Sequence, residues 1–254
     1  MIQYSVYYPG GNTTALVKKK IQNTKLKKII NDKIMYSNPS IEQVGFIWSK
    51  KNKYYLEMAG GEFCANATRS AMYEILRNET GTNISIIIPT INGSLKGGLD
   101  NKDVWTEVPS SPTKPLKEIR GDYFVVNFNG ISQIVVPTKK RITNVSILKN
   151  RAKRILSETN LLSEKKASGV MFLTNTNQYI LDPVVWVRDI QTFFYETSCG
   201  TGTAAVGLFL NKPNVKIEVL QPSGKKLIVK TDCDSKTIVS GEVSVLSENI
   251  TLEL

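Results

Sequence analysis

The chain has 254 residues, 41% of them hydrophobic, and a net charge of +11 with no histidine anywhere. That length and composition fit one large or two ordinary packed domains. The missing histidine excludes Ser-His-Asp and Cys-His catalysis and His-ligated zinc, so acid–base chemistry near neutral pH falls to carboxylates, lysines and thiols.

No apolar run reaches the ~20 residues that cross a bilayer. The start, M-I-Q-Y-S-V-Y-Y-P-G-G-N, lacks a basic stretch followed by an apolar one, and a cytoplasmic location is the expectation. Positive charge of this size ordinarily suggests nucleic acid or an acidic membrane. Here the lysines fall in scattered clusters (18–20, 25–28, 149–154) without interleaved aromatics, which reads as solvated helix faces. Cys64, Cys199 and Cys233 lie far apart with no C-x-x-C, which argues for free thiols and against a disulfide framework or a structural metal.

Along the chain, T-T-A-L-V-K-K-K-I-Q-N-T-K-L-K-K-I-I reads as a surface helix from about Thr13, with Leu16, Val17 and Ile21 inward. Next, G-G-E-F-C-A-N-A-T-R-S-A-M-Y-E-I-L (60–76) sets Cys64 at the mouth of a helix running to about Asn78. Ala67, Ala71 and Ile75 form its inner stripe, with Met72 and Leu76 beside them and Arg69 and Glu74 toward the rim. A strand (84–89), an Asn-Gly turn (92–93) and a second strand follow. The stretch P-S-S-P-T-K-P (109–115) interrupts both periodicities and divides a first half, 1–114, from a second, 115–245. A further helix spans about Asn144 to Leu156. Then Y-E-T-S-C-G-T-G-T-A-A-V-G-L-F-L (195–210) repeats the earlier grammar, with Cys199 before a helix that is apolar all round and so must be buried on all sides. A strand (216–222), a Ser-Gly turn (223–224) and K-K-L-I-V complete the parallel. Gly93 lies 29 residues after Cys64 and Gly224 lies 25 after Cys199. Two similar domains are the economical reading, with strands wrapped around the second helix.

A helix N-terminus offers unpaired N–H groups and a positive dipole end, which depress a thiol pKa and bind a carboxylate. Either cysteine alone is more simply a buried core residue. Two at matching places in a repeat, each followed by small residues, point instead to a pair of acid–base groups flanking one α-carbon. Cys233, in K-T-D-C-D-S-K, has no such setting.

The motif C-A-N-A-T-R resembles C-G-N-G-x-R, and E-T-S-C-G-T-G resembles E-T-x-x-C-G-[ST]-G, of diaminopimelate epimerase and its relatives, cofactor-independent racemases with two catalytic cysteines. P-G-G-N (9–12), E-Q-V-G (42–45) and Q-P-S-G-K-K-L (221–227) extend the likeness over nearly the whole chain. The resemblance implies two pseudo-symmetric α+β domains, each wrapping sheet around a central helix, the first completed by a last strand near 246–254. It implies Cys64 and Cys199 as the bases, and Ala65, Asn66, Gly200 and Thr201 as the hold on the α-carboxylate and α-amine. Asn12 and Gln43 would line the pocket, with a helix cap and a solvated loop as their plainer readings. No cofactor and no metal is implied. The expected partner is a small amino acid, with neither nucleic acid nor membrane, and a homodimer is allowed.

Departures from the pattern bear on the substrate. The Glu-Arg pair that grips the distal end of diaminopimelate is replaced by I-Q-T-F-F-Y (190–195), two pocket asparagines by Ile131 and Pro183, and a histidine by Gln133. Phe193, Phe194 and Tyr195, with Glu57 to accept from N–H groups, suggest a flat, partly cationic side chain. The chain looks closest to the histidine racemases of opine-type metallophore synthesis. Diaminopimelate epimerase, a double-bond isomerase of the phenazine branch and a catalytically silent binding protein are the alternatives. Plain core packing for the aromatics and a solvated strand end for Glu57 remain open.

Overall fold

The computed structural model describes residues 1–110 and 115–253. The first half comprises β1 (Ile2–Tyr8), β2 (Thr14–Val17), α1 (Thr24–Ser37), β3 (Gln43–Lys50), β4 (Lys53–Met58), α2 (Ala65–Leu76), β5 (Asn83–Ile88), β6 (Gly93–Asp100) and β7 (Asp103–Val108). After β8 (Lys117–Arg120) come β9 (Tyr123–Phe128), β10 (Ile131–Thr138), α3 (Val145–Glu158), α4 (Leu161–Glu164), β11 (Ala167–Asn175), β12 (Tyr179–Val187) and β13 (Thr192–Tyr195). The chain ends with α5 (Gly200–Leu210), β14 (Lys216–Leu220), β15 (Lys226–Thr231), β16 (Thr237–Glu242) and β17 (Ser244–Leu252).

The two halves share one topology. β1 runs antiparallel to β2, and β2 parallel to β3 across α1; β4 runs parallel to β5 across α2, and β5, β6 and β7 form an antiparallel meander. In the second half β9 is antiparallel to β10, β10 parallel to β11 across α3 and α4, β12 parallel to β14 across α5, and β14, β15 and β16 form the same meander. Two strand pairings among the described residues join the halves, β7 with β16 and β17 with β1, where Leu252 lies opposite Ile2, and an isolated bridge links Ser110 to Phe128. The fold is α+β with two pseudo-symmetric halves, and β13, a hairpin partner of β12 just ahead of Cys199, is the main addition to the second.

Helix character follows burial. On α5 every residue from Gly200 to Leu208 is buried, as its all-apolar sequence requires. Strands of both meanders and of the β9–β11 region enclose α2 and α5 in one large core. The outer helices are amphipathic: Ile30 and Ile34 of α1 pack toward Val44 and Phe46, and Leu148 and Ala152 of α3 toward Val170 and Phe172.

Three sequence expectations need correction or placing. The first helix does not begin at Thr13: Thr14–Val17 is a fully buried strand between β1 and β3, and the helix starts at Thr24, where Asn23 Oδ1 accepts from the Leu26 N–H at 3.1 Å. A slot between two strands suits the short apolar run T-A-L-V better than a helix would, and K-K-K is left to the connection. Arg69 does not lie at the rim but is fully buried. Residues 111–114, where the boundary between halves was placed, lie outside the described residues.

Candidate active site

Each central helix is capped by its cysteine, and the two caps match closely. The Ala67 N–H donates to Cys64 Sγ at 3.4 Å, and the Gly202 N–H to Cys199 Sγ at 3.4 Å. The hydroxyl four residues on returns to the cysteine carbonyl in both cases, Thr68 to Cys64 and Thr203 to Cys199, each at 2.8 Å. The shared spacing C-x-x-x-T is therefore a duplicated cap.

The helix mouths abut. A side chain added at Gly200 would lie 2.8 Å from Asn66 Oδ1 and 2.9 Å from the Ala65 Cβ, so α5 begins against the first turn of α2. Asn66 ties the ends together: its Nδ2 donates to the Ser198 carbonyl at 3.1 Å and its Oδ1 accepts from Arg69 at 3.2 Å. Behind it, the Arg69 guanidinium donates to the carbonyls of Pro9, Val104, Gly241 and Glu242, which fastens α2 to both halves. The amides of Ala65, Asn66, Gly200 and Thr201 belong to the first helical turns and have no intrahelical acceptor. Two positive dipole ends and their free amides thus converge on one place, an arrangement made for a carboxylate.

Amides and carboxylates flank the thiols. Cys64 donates to Gln43 Oε1 at 3.0 Å, and Gln43 Nε2 is held by the Thr14 hydroxyl at 2.6 Å and the Asn12 carbonyl at 3.5 Å. On the other side the Cys199 N–H donates to Gln221 Oε1 at 3.0 Å, and Gln133 Nε2 donates to the Thr201 hydroxyl at 2.9 Å. Glu196 reaches the side chains of Cys199 and Asn12. Glu42 accepts from both the N–H and the hydroxyl of Thr197, whose Oγ1 also takes the Asn12 N–H at 2.6 Å.

Electrostatics set the resting protonation. Burial pushes the half-buried Cys64 thiol up to about 12, with the Glu196 and Glu62 carboxylates adding to the rise and the Ala67 and Asn66 amides opposing it. Burial and the adjacent Glu196 carboxylate push Cys199 well above its ordinary value. Glu196 is itself raised by burial to about 8 and Glu62 to about 7. Both cysteines are thereby held as thiols at neutral pH, and the two glutamates titrate near neutrality.

The structure brings Cys64, Cys199, Asn12, Gln43, Ala65, Asn66, Gly200 and Thr201 into one region. The Asn66 side chain is occupied in joining the helices, so it is left only a backbone N–H, directed at the Cys64 sulfur, to offer a ligand. Asn12 precedes a strand, which removes its reading as a helix cap. Glu57 is held by Lys27 Nζ at 2.5 Å and lines a separate surface pocket with Gly61 and Lys166. Of the three aromatics before Cys199, Phe193 packs edge-on to Trp186, Tyr195 donates to Asp182, and Phe194 lines a cavity next to Gln43 and Glu196. Glu42, Glu62, Glu196 and Gln221 were not singled out from sequence. The signal was present in their placing: three of the four lie within three residues of a cysteine or next to Gln43.

Among solved structures, the fold is similar to that of a probable proline racemase from Agrobacterium radiobacter K84, with a TM-score of 0.70 over 100% of this chain and 93% of that one at 11% identity. It is similar also to a putative phenazine biosynthesis PhzC/PhzF protein from Clostridium difficile, with a TM-score of 0.62 over 100% of both chains at 12% identity. Together with its relatives in sequence, this fold makes the protein an isomerase of the amino-acid racemase and epimerase class. Residues 1–95 and 106–250 match the family described as histidine racemase CntK N-terminal domain, and the chain belongs to that family. It is 25% identical to a histidine racemase of Staphylococcus aureus, covering 97% of this chain and 96% of that protein. It is 29% identical to one of Fusobacterium nucleatum, covering 94% and 93%.

Proposed function

We propose that the protein interconverts L- and D-histidine by a two-base thiol mechanism that uses neither pyridoxal phosphate nor a metal. The observation that carries the mechanism is the meeting of two cysteine-capped helix mouths at Gly200 and Asn66. Histidine as substrate is supported by the family match and by the absence of an arginine in residues 190–195 to pair a second carboxylate.

The substrate carboxylate docks on the amides of Ala65, Asn66, Gly200 and Thr201, which sets the α-carbon between the sulfurs. One thiol first loses its proton. Beside Cys199 the acceptor is Glu196, and carboxylate binding at the dipole ends favours a protonated neighbour. The thiolate then takes the α-proton, and the pair of electrons left behind spreads into the carboxylate, where the four amides stabilise the added charge. The opposite thiol delivers its proton to the other face. The configuration is inverted, the thiol and thiolate have exchanged places, and the reverse reaction uses the same groups in opposite roles.

Incubation with each L-amino acid in D₂O tests both parts. The expected result is loss of the Cα–H signal of histidine with appearance of the D-enantiomer, and little or no exchange at diaminopimelate in competition. Exchange confined to diaminopimelate would overturn the substrate, and undiminished racemisation by a Cys64→Ser protein would overturn the mechanism.

A further inference from the structure

Next to Gln43, which holds Cys64, and Glu196, which reaches Cys199, lies a cavity of about 30 Å³ whose polar wall is formed by Asn31, Glu42, Gln43, Glu62, Thr192 and Glu196. Three oxygens of that wall have no hydrogen-bond partner: Asn31 Oδ1, Glu62 Oε2 and Glu196 Oε2. Asn31 is 1% exposed and Glu62 8%, so water does not readily supply the missing donors. The orientation of Asn31 is set by chemistry, because its Nδ2 donates at 3.1 Å to Asp32, a carboxylate that can only accept. No lysine or arginine lines the cavity, and its remaining wall is apolar, including Val187 and Phe194.

Buried acceptors without donors are destabilising, and several kept together point to something else that brings the protons. An anion is repelled. A metal is not favoured, since the described residues contain no group of three or more His, Cys, Asp or Glu placed to hold one. What fits is an N–H donor, neutral or cationic. The space is roughly that of two waters, which admits the edge of a small ring.

The geometry points to this cavity as the pocket for the substrate side chain, with Glu62 and Glu196 accepting from the N–H groups of an imidazole and Asn31 completing the acceptor set. The inference rests on the histidine racemase reading, which leaves the α-carboxylate and α-amine at the helix mouths and the side chain to be housed. Glu62 and Glu196 are then the residues that select the substrate. Raised by burial into the neutral range, they titrate where an imidazole ring does.

Imidazole itself is the probe, with a thiophene-based ring of the same size lacking N–H as comparison. Binding is followed by thermal shift and by ligand NMR for the wild type, Glu62→Gln, Glu196→Gln and the surface control Glu218→Gln, with circular dichroism to confirm folding. The expected result is protection of the wild type and Glu218→Gln by imidazole but not by the thiophene, with affinity at least tenfold weaker in each pocket variant. If either ring protects wild type and pocket variants alike, or imidazole protects none of them, the assignment is overturned. Kinetics separate this from the catalytic reading: α-proton exchange of histidine by the wild type reports racemisation whatever the imidazole result. A Glu62→Gln protein should then lose at least tenfold in kcat/KM for histidine with most of the loss in KM.

Discussion

At the level of single residues, the two cysteines differ from the third in what surrounds them. Cys64 and Cys199 cap helices and touch amides and carboxylates, whereas Cys233 is exposed and receives the Asn214 side chain at 3.5 Å. Serine keeps the shape of the group and raises its pKa far beyond the working range, so Cys64→Ser and Cys199→Ser should each lower kcat by about 10³-fold or more, while Cys233→Ser leaves it unchanged. Steady-state racemisation of the three purified variants checks this, and equal activity in all of them would remove the thiols from the mechanism. Arg69 makes a different prediction. Its guanidinium is pushed down to about 10 by burial yet still carries its charge at neutral pH, satisfied almost entirely by backbone carbonyls of both halves. Arg69→Ala should cost about 4 kcal/mol by leaving those carbonyls and Asn66 without a donor. Denaturant unfolding measures it, and a loss below about 1 kcal/mol would mean that water replaces the guanidinium. The place of both cysteines at helix starts was legible in sequence because a cap is a local device. Arg69 was not legible, because the carbonyls that receive it come from segments up to 173 positions away.

At the level of elements, the abutting helix mouths place a constraint on one side chain. Gly200→Ala drives a methyl group against Asn66 Oδ1 and the Ala65 Cβ, both belonging to the first turn of α2, so one helix must withdraw from the other. A displacement approaching 1 Å at a reacting centre costs about 10²-fold, and strain of this kind about 1–3 kcal/mol. The expected outcome is a folded protein with a modestly lowered Tm and kcat reduced about 100-fold. A kcat within a factor of three of the wild type would show that the helix ends need not touch during turnover. The helices α2 and α5 and the meanders after them were readable, since hydrophobic period, small residues and turn glycines agree there. β2 was misread because T-T-A-L-V-K-K-K carries enough helical spacing to pass as amphipathic, and only the presence of β1 and β3 on either side makes it a strand. The acidic cavity was invisible for a related reason: its walls come from α1, β3, the segment before α2, and β12–β13, which no sequence window spans.

At the level of the whole molecule, the halves are held together at the cysteine-capped helix mouths by polar contacts and by two strand pairings away from them. Glu42 grips Thr197, Asn66 grips Ser198, and the Ser223 hydroxyl donates to the Gly10 carbonyl at 2.6 Å. The same region holds Glu62 and Glu196, and their protonation links pH to stability. In the folded, substrate-free protein, burial raises them to about 7 and about 8, whereas in the unfolded chain they titrate near 4.5. Between those limits the folded state holds protons that the unfolded state has released. Stability conferred by these groups is fully present below about pH 4.5 and falls as pH rises, by up to about 1.4 kcal/mol per unit for each group, until pH passes about 7 for Glu62 and 8 for Glu196. Glu74 works in the opposite sense: burial raises it, but hydrogen bonds from Lys18 and Tyr7 outweigh burial and hold it low, so its contribution is lost only in acid. The free protein should therefore be most stable near pH 5 and lose Tm steadily toward pH 8. A Glu62→Gln/Glu196→Gln protein, neutral at both positions throughout, should show a clearly flatter profile over the same range, with Glu42, also raised by burial, as the remaining contributor. Thermal unfolding of both proteins at half-unit steps from pH 4 to 9 measures the difference. Parallel curves would mean that the two carboxyls are solvated or paired in solution and that the cavity is not the acidic, donor-poor space on which the choice of substrate depends.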